Sequence, residues 1–187
     1  LSSATNKIAE GELMQLANKN NLNTSLQQLK KISYYKTGRL FEASAKSAAM
    51  LSGKSIQFIE NISKAAKLIG IAFQVRDDLL DYGVSKGNIG KPEMQDILED
   101  KITYPLYFAL KYSNKKDSSK ILKKLKNKDF SIKEVADFVS SSNAFNKCNS
   151  LIQSYSNEIS KCINKISNKE IRDEMLNLSE SLKNRYE

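Results

Sequence analysis

Residues 70–101 read GIAFQVRDDLLDYGVSKGNIGKPEMQDILEDK, and the first part of this stretch has the spacing of an amphipathic helix. Apolar residues recur there at steps of three and four, which places them on one side of a helix that ends near Tyr82. The residues of this apolar stripe are Leu68, Ile71, Val75, Leu79 and Tyr82. Because the stripe predicts a helix packed against a core, the polar residues at its end are held on a rigid element.

Three carboxylates gather at the end of this predicted helix. Asp77 and Asp81 follow Phe73 at steps of four, so these three residues form one column on the helix surface. Asp78 follows Gln74 on the neighbouring column. Carboxylates at this spacing repel one another, so they require a counter-charge, which the lysines that follow or a divalent metal could supply.

Acidic pairs are common on exposed helix faces, so the DDLLD motif alone is typical of a solvated helix end. Its surroundings favour a functional interpretation. The glycine-bearing segment Gly83–Gly90 follows directly, and Lys91, Asp96 and Lys101 come soon after it. Cations and carboxylates gathered around one helix end suit a metal-bridged phosphate.

The composition favours an all-α protein. The chain has 187 residues with two prolines and seven glycines, and its length suits one domain with its own core. No apolar stretch is long enough to span a membrane, and no signal peptide is visible. Since the chain starts at Leu1 without a methionine, we expect a fragment or a processed form. We expect it to be soluble and intracellular, in the cytosol or an organelle that the sequence does not identify.

The net charge of +9 and the absence of histidine limit the possible functions. Nucleic-acid binding is disfavoured because the lysines are scattered or gathered in residues 115–128 without interleaved aromatic residues, and an acidic small molecule fits the charge equally well. Without histidine, the chain has neither a Ser-His-Asp or Cys-His nucleophile nor a His-ligated zinc site. Cys148 and Cys162 lie on an apolar helical stripe, which predicts buried thiols.

The remaining periodicity predicts helices along the whole chain and no strands. The first helix, residues 1–18, should bury Ile8, Leu13, Leu16 and Ala17. A long helix should run from an N-cap at Thr24 to Leu51 and stop at Gly53. The other predicted helices span residues 55–82, 103–112, 115–128, a segment opened by the capping box at 131–134, 145–166 and 171–182. A turn or two is expected within residues 93–99.

Lys36 and Thr37 interrupt the apolar stripe of the second helix. A lysine in such a stripe usually extends its ammonium group past the apolar surface to water. Lys36 is followed by Thr37, and a carboxylate cluster comes one helix later. A role in binding phosphate and magnesium is therefore a second interpretation of comparable weight.

Four groups of residues, taken in order, resemble the trans-type polyprenyl diphosphate synthases, and most closely the long-chain octaprenyl and solanesyl types. The groups are Glu10-Gly11-Glu12 with Gln15-Leu16; Tyr35-Lys36-Thr37; Phe73-Gln74-x-x-Asp77-Asp78-x-x-Asp81; and Gly90-Lys91 with Asp96 and Lys101-x-Thr103-x-Pro105-Leu106. The match runs from about residue 8 to residue 110. It implies an all-α antiparallel helical bundle of the isoprenoid synthase type, in which residues 1–187 form the C-terminal portion of a single domain and the amino-terminal helices are missing.

The resemblance also implies roles for individual residues. Asp77, Asp78 and Asp81 match the second aspartate-rich motif, which holds Mg²⁺ on the allylic diphosphate. Asp77 is the expected direct ligand, and Asp81 binds directly or through water. The expected catalytic and substrate-binding residues are Lys36, Lys91 and Lys101 at the diphosphate, Thr37 and Gln74 near the reacting carbon, and Phe73 in the substrate pocket.

The implied activity is that of a prenyltransferase, which condenses an allylic diphosphate with isopentenyl diphosphate to make a long trans-polyprenyl diphosphate. Hard Mg²⁺ prefers carboxylate and phosphate oxygens, and lysines stabilise charge on the leaving diphosphate. Asp96 matches a loop acid expected to orient the lysines or the water around the metal. The family is normally dimeric, so we expect a homodimer, and a second synthase subunit is a possible partner.

Two departures from the family pattern matter. The first aspartate-rich motif is absent, so the chain alone should have little activity. Met94 stands where the family usually has glycine, in the loop between Lys91 and Lys101. This substitution leaves the local geometry of that loop open. A non-catalytic subunit of a heteromeric prenyl synthase is the alternative function, although such subunits tend to lose the aspartates and lysines that this chain retains.

Overall fold

The computed structural model describes residues 2–83 and 94–184, and the regular structure in these two ranges is entirely helical. This confirms the predicted all-α class. One π-helical segment, Tyr34–Gly38, lies between the second and third α-helices. The α-helices are α1 (Ser2–Ala17), α2 (Leu26–Ser33), α3 (Arg39–Leu51), α4 (Ile56–Asp81), α5 (Gln95–Leu98), α6 (Tyr104–Tyr112), α7 (Lys115–Asn127), α8 (Ile132–Ser141), α9 (Ala144–Ile163) and α10 (Lys169–Asn184).

Helix α4 forms the centre of the fold and packs mainly against α3 and α9. The predicted apolar stripe is confirmed, since four of its members are buried and Tyr82 is half-buried. The Ser55 hydroxyl accepts a hydrogen bond from the Phe58 backbone N–H at the start of the helix, which fixes the first turn. The carboxylates therefore lie at the end of a helix that the core holds on two sides.

The apolar side predicted for α1 was wrong. Leu13 is 66% exposed and Leu16 is 48% exposed, whereas the buried residues of this helix are Ala4 and Gly11. The physical reason is that α1 packs its glycine side closely against the π-helical segment. A Cβ atom on Gly11 would lie 2.5 Å from the Lys36 backbone nitrogen, so this contact admits no side chain.

The single long helix predicted from Thr24 to Leu51 is divided by the π-helical segment, and its N-cap is Ser25. Thr24 instead hydrogen-bonds to Asn18. The predicted stop at Gly53 is confirmed, with φ +63°. Because π-helical turns often occur at functional sites, a turn of this kind at Lys36 and Thr37 directs attention to these two residues.

The remaining helices follow the sequence pattern. Helix α6 has a proline at its start, and the Ser131 hydroxyl caps α8 by accepting a hydrogen bond from the Glu134 backbone N–H. Cys148 and Cys162 are free and buried, as predicted. Within the two described ranges, none of the helices is both long and apolar enough to cross a membrane.

Glycines bring the backbones of α4 and the π-helical segment into contact. A Cβ atom on Gly70 would lie 2.6 Å from the Gly38 Cα atom, which is closer than real Cβ contacts allow. The segment that carries Thr37 therefore rests directly on the α4 backbone, one turn before Gln74. This contact sets the distance between the two helices at the site.

We expect Gly70→Ala to push Gly38 away from α4 and to lower the free energy of unfolding by about 1–3 kcal/mol, as overpacking does in a tight core. Urea denaturation would measure the loss. Gly53→Asn is the matched control, because nothing lies within 4 Å of a Cβ atom there and asparagine tolerates the positive φ. Equal stability of the two variants would contradict the proposed backbone contact.

Candidate functional site

Lys36 is held by α1. Its Nζ donates a hydrogen bond to Gln15 Oε1 at 2.7 Å and lies 3.5 Å from Glu12 Oε2. The side chain is 30% exposed, and its ammonium group pairs with protein groups beside a pocket instead of extending only into solvent. The close approach at Gly11 makes these contacts possible, because it brings α1 against the backbone that carries the lysine.

A chain of hydrogen bonds links the π-helical segment, α4 and α6. Thr37 Oγ1 donates to Gln74 Oε1 at 2.9 Å, and Gln74 Nε2 donates to Asp78 Oδ1 at 2.9 Å. Asp78 Oδ2 then accepts the Tyr104 backbone N–H at 3.2 Å. The Tyr104 hydroxyl lies 3.0 Å from the Ser33 hydroxyl, one helical turn before Thr37, so the chain closes into a ring.

This ring fixes the orientation of Gln74. The Thr37 hydroxyl and the Asp78 carboxylate occupy the two ends of the Gln74 amide. Asp78 is buried, and each of its oxygens accepts a hydrogen bond from the protein. Its contacts are therefore those of a positioning residue, while its predicted role as a metal ligand stays a prediction.

Asp81 anchors the segment that follows. Its two carboxylate oxygens accept the backbone N–H groups of Gln95 at 2.9 Å and Asp96 at 3.1 Å, and its backbone carbonyl accepts the Met94 N–H at 2.7 Å. Met94 has φ +64° and ψ 26°, a left-handed conformation that glycine adopts without strain. The backbone of this buried methionine thus has the conformation that glycine favours at this position.

Lys101, in the segment between α5 and α6, lies close to Asp96 and Glu99. Its Nζ lies 2.8 Å from Glu99 Oε2 and 3.8 Å from Asp96 Oδ1, and its side chain is 16% exposed. One small pocket of about 20 Å³ is lined by residues of α1, α2, the π-helical segment, α4 and the segment that leads into α6. The site residues on its wall are Lys36, Gln74, Asp78 and Lys101.

Burial and mutual repulsion raise the pKa values of Asp78 and Asp96. Burial, followed by the charge of Asp96, raises the pKa of Asp78 well above its ordinary value, against the hydrogen bonds from Gln74 and Tyr104. Burial, followed by the charge of Asp81, raises the pKa of Asp96 to about 6, while Lys101 lowers it. The acids are therefore crowded, and added positive charge would stabilise their ionised forms.

The pH dependence of stability follows from the Asp96 pKa. Because the folded pKa of about 6 exceeds the ordinary value of 3.8, ionised Asp96 destabilises the folded chain. This cost is absent below pH 3.8 and is fully present above pH 6, and it amounts to about 3 kcal/mol. We expect Asp96→Asn to gain about that much stability relative to the unaltered chain between pH 4 and pH 7, in urea denaturation at each pH. A constant difference would contradict the shift.

The acids suit a cation that is shared with a ligand. Across residues 2–83 and 94–184, no three acidic, cysteine or histidine side chains are placed to hold a metal by themselves. Mg²⁺ commonly takes one or two carboxylates and completes its shell with water and substrate phosphates. Asp77 is half-buried on the column it shares with Asp81, and Asp81 uses two of about four acceptor positions in its hydrogen bonds. These residues fit a divalent cation that a phosphate also binds.

The structure brings Lys36, Thr37, Gln74, Asp78 and Lys101 close together, and their roles stay predictions. Lys91 falls outside the described residues. Phe73 lies near Phe41, with ring centroids 6.2 Å apart. Ser33 and the backbone N–H of Tyr104 complete the ring of hydrogen bonds, and neither was predicted from the sequence. The motif Lys101-x-Thr103-x-Pro105 indicated that this segment belongs to the site. No residue pattern reveals which backbone N–H will donate to a given carboxylate.

The sequence matches the family described as Polyprenyl synthetase over residues 1–142. It is 36% identical to the octaprenyl diphosphate synthase of Haemophilus influenzae over 121 residues, which covers 65% of this chain and 37% of that protein. The octaprenyl diphosphate synthase of Escherichia coli is also 36% identical, with 65% and 38% covered. The matched stretch thus covers little more than a third of the length of these relatives.

Solved structures agree with the fold. A Caulobacter crescentus polyprenyl synthase complexed with calcium and isoprenyl diphosphate superposes with a TM-score of 0.90 at 25% identity, covering 100% of this chain and 58% of that one. A decaprenyl diphosphate synthase from Rhodobacter capsulatus gives a TM-score of 0.88 at 24% identity, with the same coverage.

Proposed function

The chain belongs to the polyprenyl synthetase family, and from that premise we propose that it provides the allylic-diphosphate side of a long-chain trans-prenyltransferase. The reaction is the condensation of an allylic diphosphate with isopentenyl diphosphate. The observation that carries this proposal is the convergence of Lys36, Lys101, Gln74 and Asp78 on one pocket. Two cations and an oriented amide beside clustered carboxylates suit a substrate whose diphosphate leaves an allylic carbon.

The two lysines bind the leaving group. Lys36 enters from the π-helical segment and Lys101 from the segment before α6, so they approach the pocket from two elements. Both are already held by acids or amides, Lys36 by Gln15 and Lys101 by Glu99. Pre-positioned cations stabilise charge as it develops on the diphosphate without reorganising at that moment. Lys91 is proposed as a third such cation from the resemblance alone.

Gln74 and Thr37 face the allylic carbon. The ring of hydrogen bonds holds the Gln74 amide in one orientation through Asp78, with the Thr37 hydroxyl at its oxygen end. Oxygen dipoles in this position stabilise a carbocation without acting as strong nucleophiles. Phe73, on the column before Asp77, supplies an apolar wall that keeps water from the cation. The proton lost after the new carbon–carbon bond forms can pass to an oxygen of the released diphosphate, a base that the reaction itself supplies.

Asp77 and Asp81 are the proposed magnesium ligands. Bound Mg²⁺ neutralises charge on the diphosphate and makes it a better leaving group. Asp78 is proposed to act on the metal site indirectly, because both of its oxygens accept hydrogen bonds from the protein. Asp96, which the charges of Lys101 and Lys36 both reach, keeps the lysines oriented.

We also propose that residues 1–187 correspond to the C-terminal portion of one synthase domain and that the enzyme is a homodimer. Two findings support this. The chain covers 58% of the structures it resembles. It also leaves several apolar side chains exposed on α1 and α3, which covering helices would bury. These residues are Leu13, Leu16, Leu40, Met50 and Leu51.

The experiment is incorporation of radiolabelled isopentenyl diphosphate by the synthase that contains this chain, with a short allylic diphosphate as primer. We expect a long polyprenyl product, and we expect its formation to require Mg²⁺. Lys36→Met and Lys101→Met should each lower kcat/KM, while Lys165→Met, at an exposed position after α9, should not. Absence of product with every primer and metal tested would overturn the proposal.

A further inference from the structure

Positive charge is concentrated on one helix that the proposed chemistry does not use. Residues 111–128 contain eight lysines and one acid, so this tenth of the chain carries most of its net charge of +9. Helix α7 packs through Ser118, Ile121 and Leu125. Its opposite side, which we call the α7 lysine face, is exposed and is formed by Lys115, Lys116, Lys120, Lys123 and Lys126.

The α7 lysine face is unfavourable for the helix that carries it. Lys115 and Lys116 lie in the first turn, where the helix dipole disfavours cations. Lys116 and Lys120 are four residues apart, and like charges at this spacing repel. Among the residues that the structure describes, no ion pair involves a side chain of this face, although Lys124 beside it pairs with Glu134 at 2.7 Å. The positive charge of the face is therefore not balanced by acidic side chains of the described residues. Such local conflicts are common where a surface binds a partner.

We propose that the α7 lysine face docks the protein on a bilayer surface that carries anionic lipid headgroups. The charged side chains on this exposed side of the helix are all lysines, with Ser119 and Asn127 between them. Lysines near an anionic surface are attracted without specific geometry. Nucleic-acid surfaces more often use arginine and interleaved aromatic residues, and the face has neither.

An aromatic residue at one end of α7 supports this orientation. Tyr112, the last residue of α6, is 55% exposed three residues before α7 begins, and Lys147 Nζ lies 4.7 Å from the centre of its ring. Tyrosine has an apolar ring and a polar hydroxyl, which suit the depth of lipid headgroups. Lys147 also extends the positive surface beyond α7. This inference is independent of the proposed catalytic function.

The test is co-sedimentation with vesicles of phosphatidylcholine alone and of phosphatidylcholine with 30% phosphatidylglycerol. We expect binding to the anionic vesicles only, and loss of binding as salt rises, because the attraction is screened. Each lysine near the surface contributes about fivefold in affinity, so a triple variant, Lys116→Gln with Lys120→Gln and Lys123→Gln, should bind about a hundredfold more weakly.

The matched control removes the same charge elsewhere. Lys64, Lys161 and Lys165 are exposed on other parts of the fold, and their triple glutamine variant should keep vesicle binding within a few-fold. Equal losses in both variants, or no binding of the unaltered protein to anionic vesicles, would overturn the proposal. So would tighter binding to duplex DNA or RNA than to the vesicles at the same salt. The α7 variant should unfold at equal or higher urea concentration, because repulsion is removed, so misfolding cannot explain a loss of binding.

Discussion

Asp77→Ala should lower the kcat of the synthase containing this chain by on the order of 10³-fold, equivalent to about 4 kcal/mol of transition-state stabilisation. Asp77 shares its column on α4 with Asp81, and it directly precedes Asp78, which completes the ring of hydrogen bonds. Its carboxylate is the proposed direct ligand of the magnesium on the leaving diphosphate. Removing it should leave that diphosphate without its main counter-charge.

The measurement is incorporation of radiolabelled isopentenyl diphosphate at several Mg²⁺ concentrations. A ligand role predicts that Asp77→Ala raises the Mg²⁺ concentration required for half-maximal rate and that Asp77→Glu recovers part of the activity. The free energy of unfolding should change little, since the side chain is half-buried. Near-normal turnover by a folded Asp77→Ala variant would contradict the role assigned to this residue.

The carboxylate cluster could be predicted because its positions follow from helical periodicity alone. The residues of α4 that face the core recur at steps of three and four, so the sequence predicted both the helix and the side on which Asp77 and Asp81 lie. Capping residues also predicted where helices begin, as at Ser55 for α4 and Ser131 for α8. The loop after α4 and its lysines were predicted from the resemblance to the family motif. Residues 84–93 of that loop lie outside the described residues.

What the sequence could not supply depends on contacts between distant segments. The leucines of α1 were expected to be buried, but the helix packs through Gly11 because a backbone contact with Lys36 leaves no room for a side chain. The π-helical segment has ordinary helix-forming spacing, so periodicity could not distinguish it from a continuous helix. The left-handed conformation of Met94 is also invisible in its residue type, because methionine rarely adopts it.

Asp78→Ala should have the largest effect on stability, about 2–4 kcal/mol in the free energy of unfolding. The substitution leaves the Gln74 Nε2 group and the Tyr104 backbone N–H without an acceptor in a buried place. It also opens the ring that joins the π-helical segment, α4 and α6, so the Thr37 hydroxyl and the Gln74 amide lose their fixed orientation. Urea denaturation measures the first effect, and a fall in kcat/KM larger than the fall in folded fraction measures the second.

Asp78→Asn separates the hydrogen bonds from the charge. The asparagine Oδ1 can accept the Tyr104 N–H, and its Nδ2 can donate to Gln74 if that amide turns over and donates in turn to the Thr37 hydroxyl. Because burial raises the Asp78 pKa, removing the charge also removes a desolvation cost. We therefore expect the asparagine variant to stay within about 1 kcal/mol of the unaltered chain. A loss as large as that of Asp78→Ala would mean that the charge itself, and not the ring of hydrogen bonds, holds these helices together.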